Sequence, residues 1–156
     1  MSQAVKLAIV DHRFVHGQIT ESWCEYVDSQ LVLIANDHLV KDKTLQGLME
    51  MSIHDDIVVR YKSIDKASKN LPKLDPSKNA ILIVETVADI LTLLEAGVDI
   101  ERLVLSSALD AKGRKKIASA IYVTDEELAG LKAWQEEGLQ IEMRELPEDP
   151  VENIEF

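Results

Sequence analysis

Along this chain, short apolar, β-branched runs alternate with stretches of helical periodicity, and no other feature constrains the fold so strongly. Residues 5–10, 30–35, 56–61, 80–84 and 102–106 have the length and composition of buried strands, and 120–123 reads as a shorter sixth. Between them lie helical patterns. Ile19, Trp23 and Val27 share one face of a helix beginning near Gln18. Asn36-Asp37 offers an N-cap for a helix carrying Leu45, Leu48 and Met49, and a weaker helix runs through Ala67. Residues 87–96 form a helix closed by Gly97. Thr124-Asp125-Glu126-Glu127 is a capping box that opens a helix with Leu128, Leu131 and Trp134 inward. Such an order predicts an α/β fold: a three-layer α/β/α arrangement with a mostly parallel open sheet of about six strands. Residues 139–146 alternate in polarity and are expected to add an antiparallel edge strand at the C-terminus. Residues 70–79 read as a surface loop, and Pro147, Pro150 and the acidic end through Phe156 as a loosely held tail.

The chain has 156 residues, enough for one domain with a sizeable core, and no linker or repeat divides it, so 1–156 is expected to be a single domain. Its 17 Lys and Arg face 28 Asp and Glu, a net charge of −11. A nucleic-acid partner needs a basic face to displace counterions, so no nucleic-acid partner is expected. The only basic cluster is residues 112–116, Lys-Gly-Arg-Lys-Lys. No apolar run approaches the roughly 18 residues of a membrane helix, and the N-terminal residues lack signal-peptide character, so a cytoplasmic protein is expected. Cys24 is the sole cysteine, which rules out an intrachain disulfide and a cysteine-based zinc cage. Next to Trp23 on an apolar helix face, it reads as a buried, inert thiol.

In open parallel sheets, ligands gather at the carboxyl ends of the strands. The first strand ends in Asp11-His12-Arg13-Phe14-Val15-His16-Gly17, where each polar residue suits phosphate chemistry. An imidazole is substantially unprotonated near neutral pH and can attack phosphorus to form a P–N bond. The planar fork of Arg13 matches two phosphoryl oxygens. Gly17 allows close approach to the backbone at a helix start whose free N–H groups favour an anion. Asp11 is placed to orient an imidazole. The same residues are also compatible with an ordinary polar strand–helix turn. His12 and His16 have the spacing of paired zinc ligands on a helix, although the segment reads as a loop and no second ligand-rich segment completes a site. Lys41 and Lys43 read first as a solvated helix face, with a lateral reach to phosphate as the alternative.

The stretch Asp11-His12-Arg13-Phe14-Val15-His16-Gly17-Gln18-Ile19, with Trp23 beyond it, resembles the phosphorylation loop of IIB (EIIB) components of the bacterial sugar phosphotransferase system (PTS). The similarity is to the mannose/fructose/sorbose family, whose signature reads Asp-x-Arg-Leu-Ile-His-Gly-Gln-Val followed by Trp. It extends to Asn36-Asp37, to Glu95-Ala96-Gly97-Val98 and to residues 113–127. The resemblance implies a phosphohistidine carrier in which His16 accepts phosphate from a IIA partner. His16 then delivers it to a sugar bound by the membrane components IIC and IID, which would hold the protein at the membrane periphery. No cofactor is implied, and a homodimer is admitted. By the same matching, Arg13, Gly17 and Gln18 become phosphate contacts and Asp11 a loop organiser. The family's Asn-x-Gly-Gly after strand five is here Val104-Leu105-Ser106-Ser107, so the Ser106 and Ser107 hydroxyls are expected to donate to phosphate. Ile9 stands where the family often has Arg.

Phosphoryl transfer is thus the leading function. The alternatives are a regulatory phosphoprotein or binding module on the same scaffold, and a metal-dependent hydrolase built on His12 and His16.

Overall fold

The computed structural model describes residues 5–152. The first half runs β1 (Val5–Asp11), α1 (Gly17–Val27), β2 (Leu31–Ala35), α2 (Lys43–Glu50), β3 (Val58–Lys62) and α3 (Ile64–Asn70). The second half runs β4 (Ala80–Val84), α4 (Val87–Glu95), β5 (Ile100–Ser107), β6 (Lys115–Ala118), β7 (Ile121–Val123), α5 (Asp125–Glu136) and β8 (Gln140–Met143). Six strands make one sheet in the order β3-β2-β4-β1-β5-β8, and every pairing in it is parallel.

The strands are apolar on both faces because both are covered, and successive residues serve opposite cores. Leu7 and Ile9 of β1, Ile81 and Ile83 of β4, and Val104 of β5 pack with Trp23 and Cys24 of α1 and Met49 of α2. Ala8 and Val10, Leu82 and Val84, and Leu103 and Leu105 pack on the other face with Ala67, Ile90, Leu93 and Leu131 from α3, α4 and α5. The three-layer α/β expectation holds.

Four expectations are corrected. Residues 120–123 do not join the sheet: β7 pairs antiparallel with β6 in a separate two-stranded ribbon. The sixth strand of the sheet is β8, and it lies parallel, not antiparallel, to β5. The physical reason is the intervening helix: α5 carries the chain back along the sheet, so β8 re-enters in the direction of β5. The helix cap after β2 is also displaced. Asn36 Oδ1 accepts the N–H groups of His38 and Leu39, closing a 3-10 turn, whereas Asp42 caps α2 by accepting from Leu45 at 3.0 Å. On α2 it is Gln46 and Met49 that turn inward, while Leu45 and Leu48 are exposed.

The fourth correction concerns the tail, whose described part is tied down. Glu152 and Met143 exchange two backbone hydrogen bonds, and Arg144 Nη1 donates to the Pro147 carbonyl at 2.7 Å. The Trp23 indole donates to the Glu145 carbonyl at 2.9 Å, which fastens α1 to the end of β8. The remainder of that tail lies outside the described residues. Among the described residues no helix is long and apolar enough to cross a membrane.

Candidate functional site at the carboxyl end of β1

β1 lies between β4 and β5, so the loop that follows it leaves the middle of the sheet. The loop is anchored at both ends. Phe14 donates its N–H to the Asp11 carbonyl at 3.0 Å and adopts φ +60°, and Gly17 opens α1 at φ +45°. These left-handed angles fold residues 12–16 into a tight turn, a conformation that favours glycine at the second position. Phe14 and Val15 point into the core beneath α1 and α2, leaving His16 exposed and His12 and Arg13 half-buried.

Asp11 is buried and serves Arg13. Its Oδ1 accepts from the Arg13 backbone N–H and from Nε, both at 2.9 Å, and its Oδ2 accepts from Nη2 at 2.9 Å. Ser106 donates its hydroxyl to Oδ2 at 3.1 Å. This two-pronged pair fixes the guanidinium plane, and the hydrogen bonds to Asp11 raise the Arg13 pKa above its ordinary value, with the nearby charge of Glu145 adding to it. The expectation that Asp11 orients an imidazole therefore gives way to a different geometry, in which the carboxylate holds the loop backbone and the arginine.

Ser107 also reaches the loop: its hydroxyl lies 2.7 Å from His12 Nδ1, and its carbonyl accepts the His12 N–H at 3.2 Å. Both serines are buried, and each hydroxyl already has a partner within the protein. They brace the loop through Asp11 and His12.

His16 occupies the N-cap position of α1. Its N–H donates to Thr20 Oγ1 at 2.9 Å and its carbonyl accepts from Ile19 at 3.0 Å, so its backbone is held while its ring is not. Among the described residues the imidazole has no hydrogen-bond partner. Among the described residues no side chain caps α1, which leaves the N–H groups of Gly17 and the exposed Gln18 without a partner, in residues that line the same groove as His16. His16 lines an open groove of about 560 Å³ with Val15, Gly17, Gln18, Ile19, Leu48, Met49 and Ser52.

Two readings lose their geometric basis. His12 is turned toward Ser107, and no group of three or more metal-ligating side chains is gathered among the described residues. Lys41 and Lys43 are exposed, and neither makes a hydrogen bond or ion pair with the loop. Cys24, the other nucleophile of the region, is buried, and burial pushes its thiol up to about 11. Sequence reasoning missed Thr20 and the α2 wall of the groove. Thr20 lies four residues beyond His16, a spacing that a search for helix-start partners would have found. Leu48 carried no such signal, since an apolar residue on a helix reads as core.

This geometry can be set beside known proteins. The model of the sorbose-subfamily IIB component of the PTS matches residues 5–156. The chain belongs to that family. As a IIB component of the sorbose subfamily it takes part in sugar phosphotransfer. Similar proteins include the N-acetylgalactosamine-specific phosphotransferase enzyme IIB component 2 of Escherichia coli K12, 29% identical over 150 residues that cover 96% of each chain. The mannose-specific EIIAB component of the same organism is 21% identical over 148 residues, covering 94% of this chain and 46% of that one. Among solved structures, the N-acetylgalactosamine-specific IIB component 1 from Escherichia coli superposes with a TM-score of 0.86 at 26% identity, covering 97% of this chain and 99% of that chain.

Proposed function

We propose that this IIB component is a phosphohistidine carrier, taking a phosphoryl group from a phosphorylated IIA protein onto His16 and passing it to a sugar held by IIC and IID in the membrane. The observation that carries this reading is an exposed, unpartnered imidazole at the start of a helix that no side chain caps, beside an arginine already held in place. A ring nitrogen of neutral His16 attacks phosphorus as the donor's P–N bond breaks, and the electron pair of that bond returns to the donor's imidazole. In the second step a sugar hydroxyl attacks the phosphoryl group, the P–N bond to His16 breaks with its electron pair returning to the ring nitrogen, and the hydroxyl proton passes to solvent.

Arg13 and the N–H groups of Gly17 and Gln18 stabilise the oxygens of the transferring group. Asp11 aims Arg13 at that group, with Ser106 holding Asp11 and Ser107 holding His12. Cys24 is unsuited to the carrier's role, because a buried thiol with so high a pKa holds almost no thiolate at neutral pH. A IIA donor fits the mannose-specific relative, whose name joins A and B components in one chain. The groove beside His16 is walled by Val15, Ile19, Leu48 and Met49, a surface for a docking protein more than for the many hydroxyls of a sugar. Sugar choice accordingly belongs to the membrane components, with this chain working at their cytoplasmic face.

The test is intact mass after incubation with phosphoenolpyruvate, enzyme I, the histidine phosphocarrier protein and a cognate IIA protein. One acid-labile phosphoryl group is expected, lost in His16→Ala and kept in His12→Ala and Cys24→Ser. Retention in His16→Ala with loss in Cys24→Ser would replace the phosphohistidine by a phosphocysteine.

A further inference from the structure

The basic cluster at residues 112–116 has no role in the transfer site, yet the fold puts it at the same end of the molecule. β5 ends at Ser107, which touches His12, and the next residue anchors the β6–β7 ribbon. Ala108 donates to the Ala120 carbonyl at 2.9 Å and accepts from Tyr122 at 3.1 Å. The ribbon is therefore rooted one residue beyond a side chain that braces the phosphorylation loop.

Its inner residues, Ile117, Ala118, Ile121 and Val123, pack on the core that α4 and α5 also cover, which fixes its direction. The outer side holds the charge. Lys112, Lys115 and Lys116 are exposed, and Arg114 is half-buried with Nη1 donating to the Leu109 carbonyl at 3.1 Å. That bond shapes the turn from which Leu109 projects, 55% exposed. Asp110 is the one acid in the segment 109–116, and among the described residues the one ion pair of the cluster joins Lys115 to Asp125 at 3.1 Å, on an Asp125 side chain that is 89% exposed. In a chain of net charge −11, four of the 17 basic residues thus stand within five positions, on a ribbon rooted at the same end of the sheet as the β1–α1 loop.

We propose that the β6–β7 ribbon is an electrostatic docking arm for the acidic surface of the phosphoryl-donor protein. The inference rests on the carrier reading above and adds the surface by which the donor is recognised. A donor arrives with a doubly negative phosphoryl group at its reactive centre, and the net charge of this chain repels it. A local basic arm at the transfer end reverses that repulsion where it matters and orients the encounter. Charge steering of this kind speeds association without slowing release, which suits a partner that must leave after each transfer. Four cations without a lipid chain or an amphipathic helix are a poor membrane anchor for so acidic a chain, which favours a protein over a lipid surface.

The experiment compares the wild type with a Lys112→Glu, Lys116→Glu double variant, both positions being exposed. Single-turnover phosphorylation is followed from a phosphorylated IIA protein and, separately, from phosphoramidate, a small donor that needs no docking. The variant is expected to lose about ten-fold or more in rate from IIA at low salt. The wild type should slow toward the variant as salt rises, and both should react equally with phosphoramidate. Equal rates from IIA with no salt dependence would overturn the docking arm while leaving the carrier reading intact. Unchanged transfer with lost binding to phosphatidylserine vesicles would overturn it in favour of a lipid contact. No phosphorylation of the wild type by either donor would overturn the carrier reading, and the arm's role with it.

Discussion

Two strand–helix turns lie side by side at the carboxyl end of this sheet, and they are built on opposite principles. β4 and β1 are paired neighbours, both buried and both followed by a helix. After β4, Glu85 and Thr86 suffice to start α4. Thr86 accepts from Asp89 at 3.1 Å and Glu127 of α5 accepts from Ala88 at 2.9 Å, so two of the first N–H groups of α4 are taken by side chains. After β1, five residues intervene, two left-handed angles appear, and α1 starts on a histidine that caps nothing. The other helices, α2, α3 and α5, are capped by Asp42, Ser63 and Thr124.

A missing cap costs about 1 kcal/mol, and a non-glycine residue in the left-handed region costs a similar amount. Burying Phe14 and Val15 offsets this, at about 1.5–3 kcal/mol for each fully buried side chain. Stability is thus conceded at this turn, where the start of α1 and the exposed imidazole of His16 have a chemical use.

Breaking the open turn has the largest expected effect. His16→Ala should end phosphoryl transfer while leaving the thermal midpoint nearly unchanged, since the side chain is exposed and its ring makes no hydrogen bond among the described residues. A variant that still carries acid-labile phosphate would show that the contrast between the turns has no catalytic meaning.

Arg13→Lys keeps the charge but cannot span both oxygens of Asp11. Transfer should fall by about 10- to 100-fold, read as a single-turnover rate. An unchanged rate would mean that a point charge is enough at that position.

Exchanging the designs gives a smaller effect. Thr86→Ala should destabilise by about 1 kcal/mol without slowing transfer. His16→Asp should abolish transfer yet stabilise by up to about 1 kcal/mol in urea unfolding. The backbone already permits that cap: Asp42 caps α2 from φ −103°, ψ 83°, close to the −139°, 72° of His16. No gain in stability from His16→Asp would argue that the first turn of α1 is not free.

The last contrast, between the buried side of α1 and its open start, has no effect at neutral pH and shows only in alkali. The Cys24 thiol rises from 9.0 in its ordinary state to about 11, so the folded protein holds this proton after the unfolded chain has lost it. Its contribution is fully present below about 9 and is lost as pH rises through about 11. Wild type should therefore lose stability relative to Cys24→Ala across that window, and parallel curves would contradict the burial argument.

Much of this was legible in advance. Strand and helix order, the position of the loop and the residues 11–17 all follow from local patterns that need no distant partner. The misreadings share one cause. Residues 120–123 have the composition of a sheet strand but meet β6 instead, and β8 runs parallel because α5 carries the chain back. Leu45 and Leu48 read as core but face out, since the part of α2 that meets the sheet is set by packing. Ser106 and Ser107 meet Asp11 and His12, partners that local spacing does not reveal, because a hydroxyl's partner depends on what lies opposite it in space.

By itself, then, the sequence determined the layered α/β architecture and the chemical groups gathered after β1, because periodicity and short-range spacing are properties of neighbouring residues. Only the tertiary structure decided that Asp11 grips Arg13 and not an imidazole. It alone brought two serines 95 residues away to hold the loop, and it alone rooted the basic ribbon at the end of β5, one residue beyond Ser107. Those outcomes depend on which strands lie side by side, and strand order is settled by the packing of the whole chain.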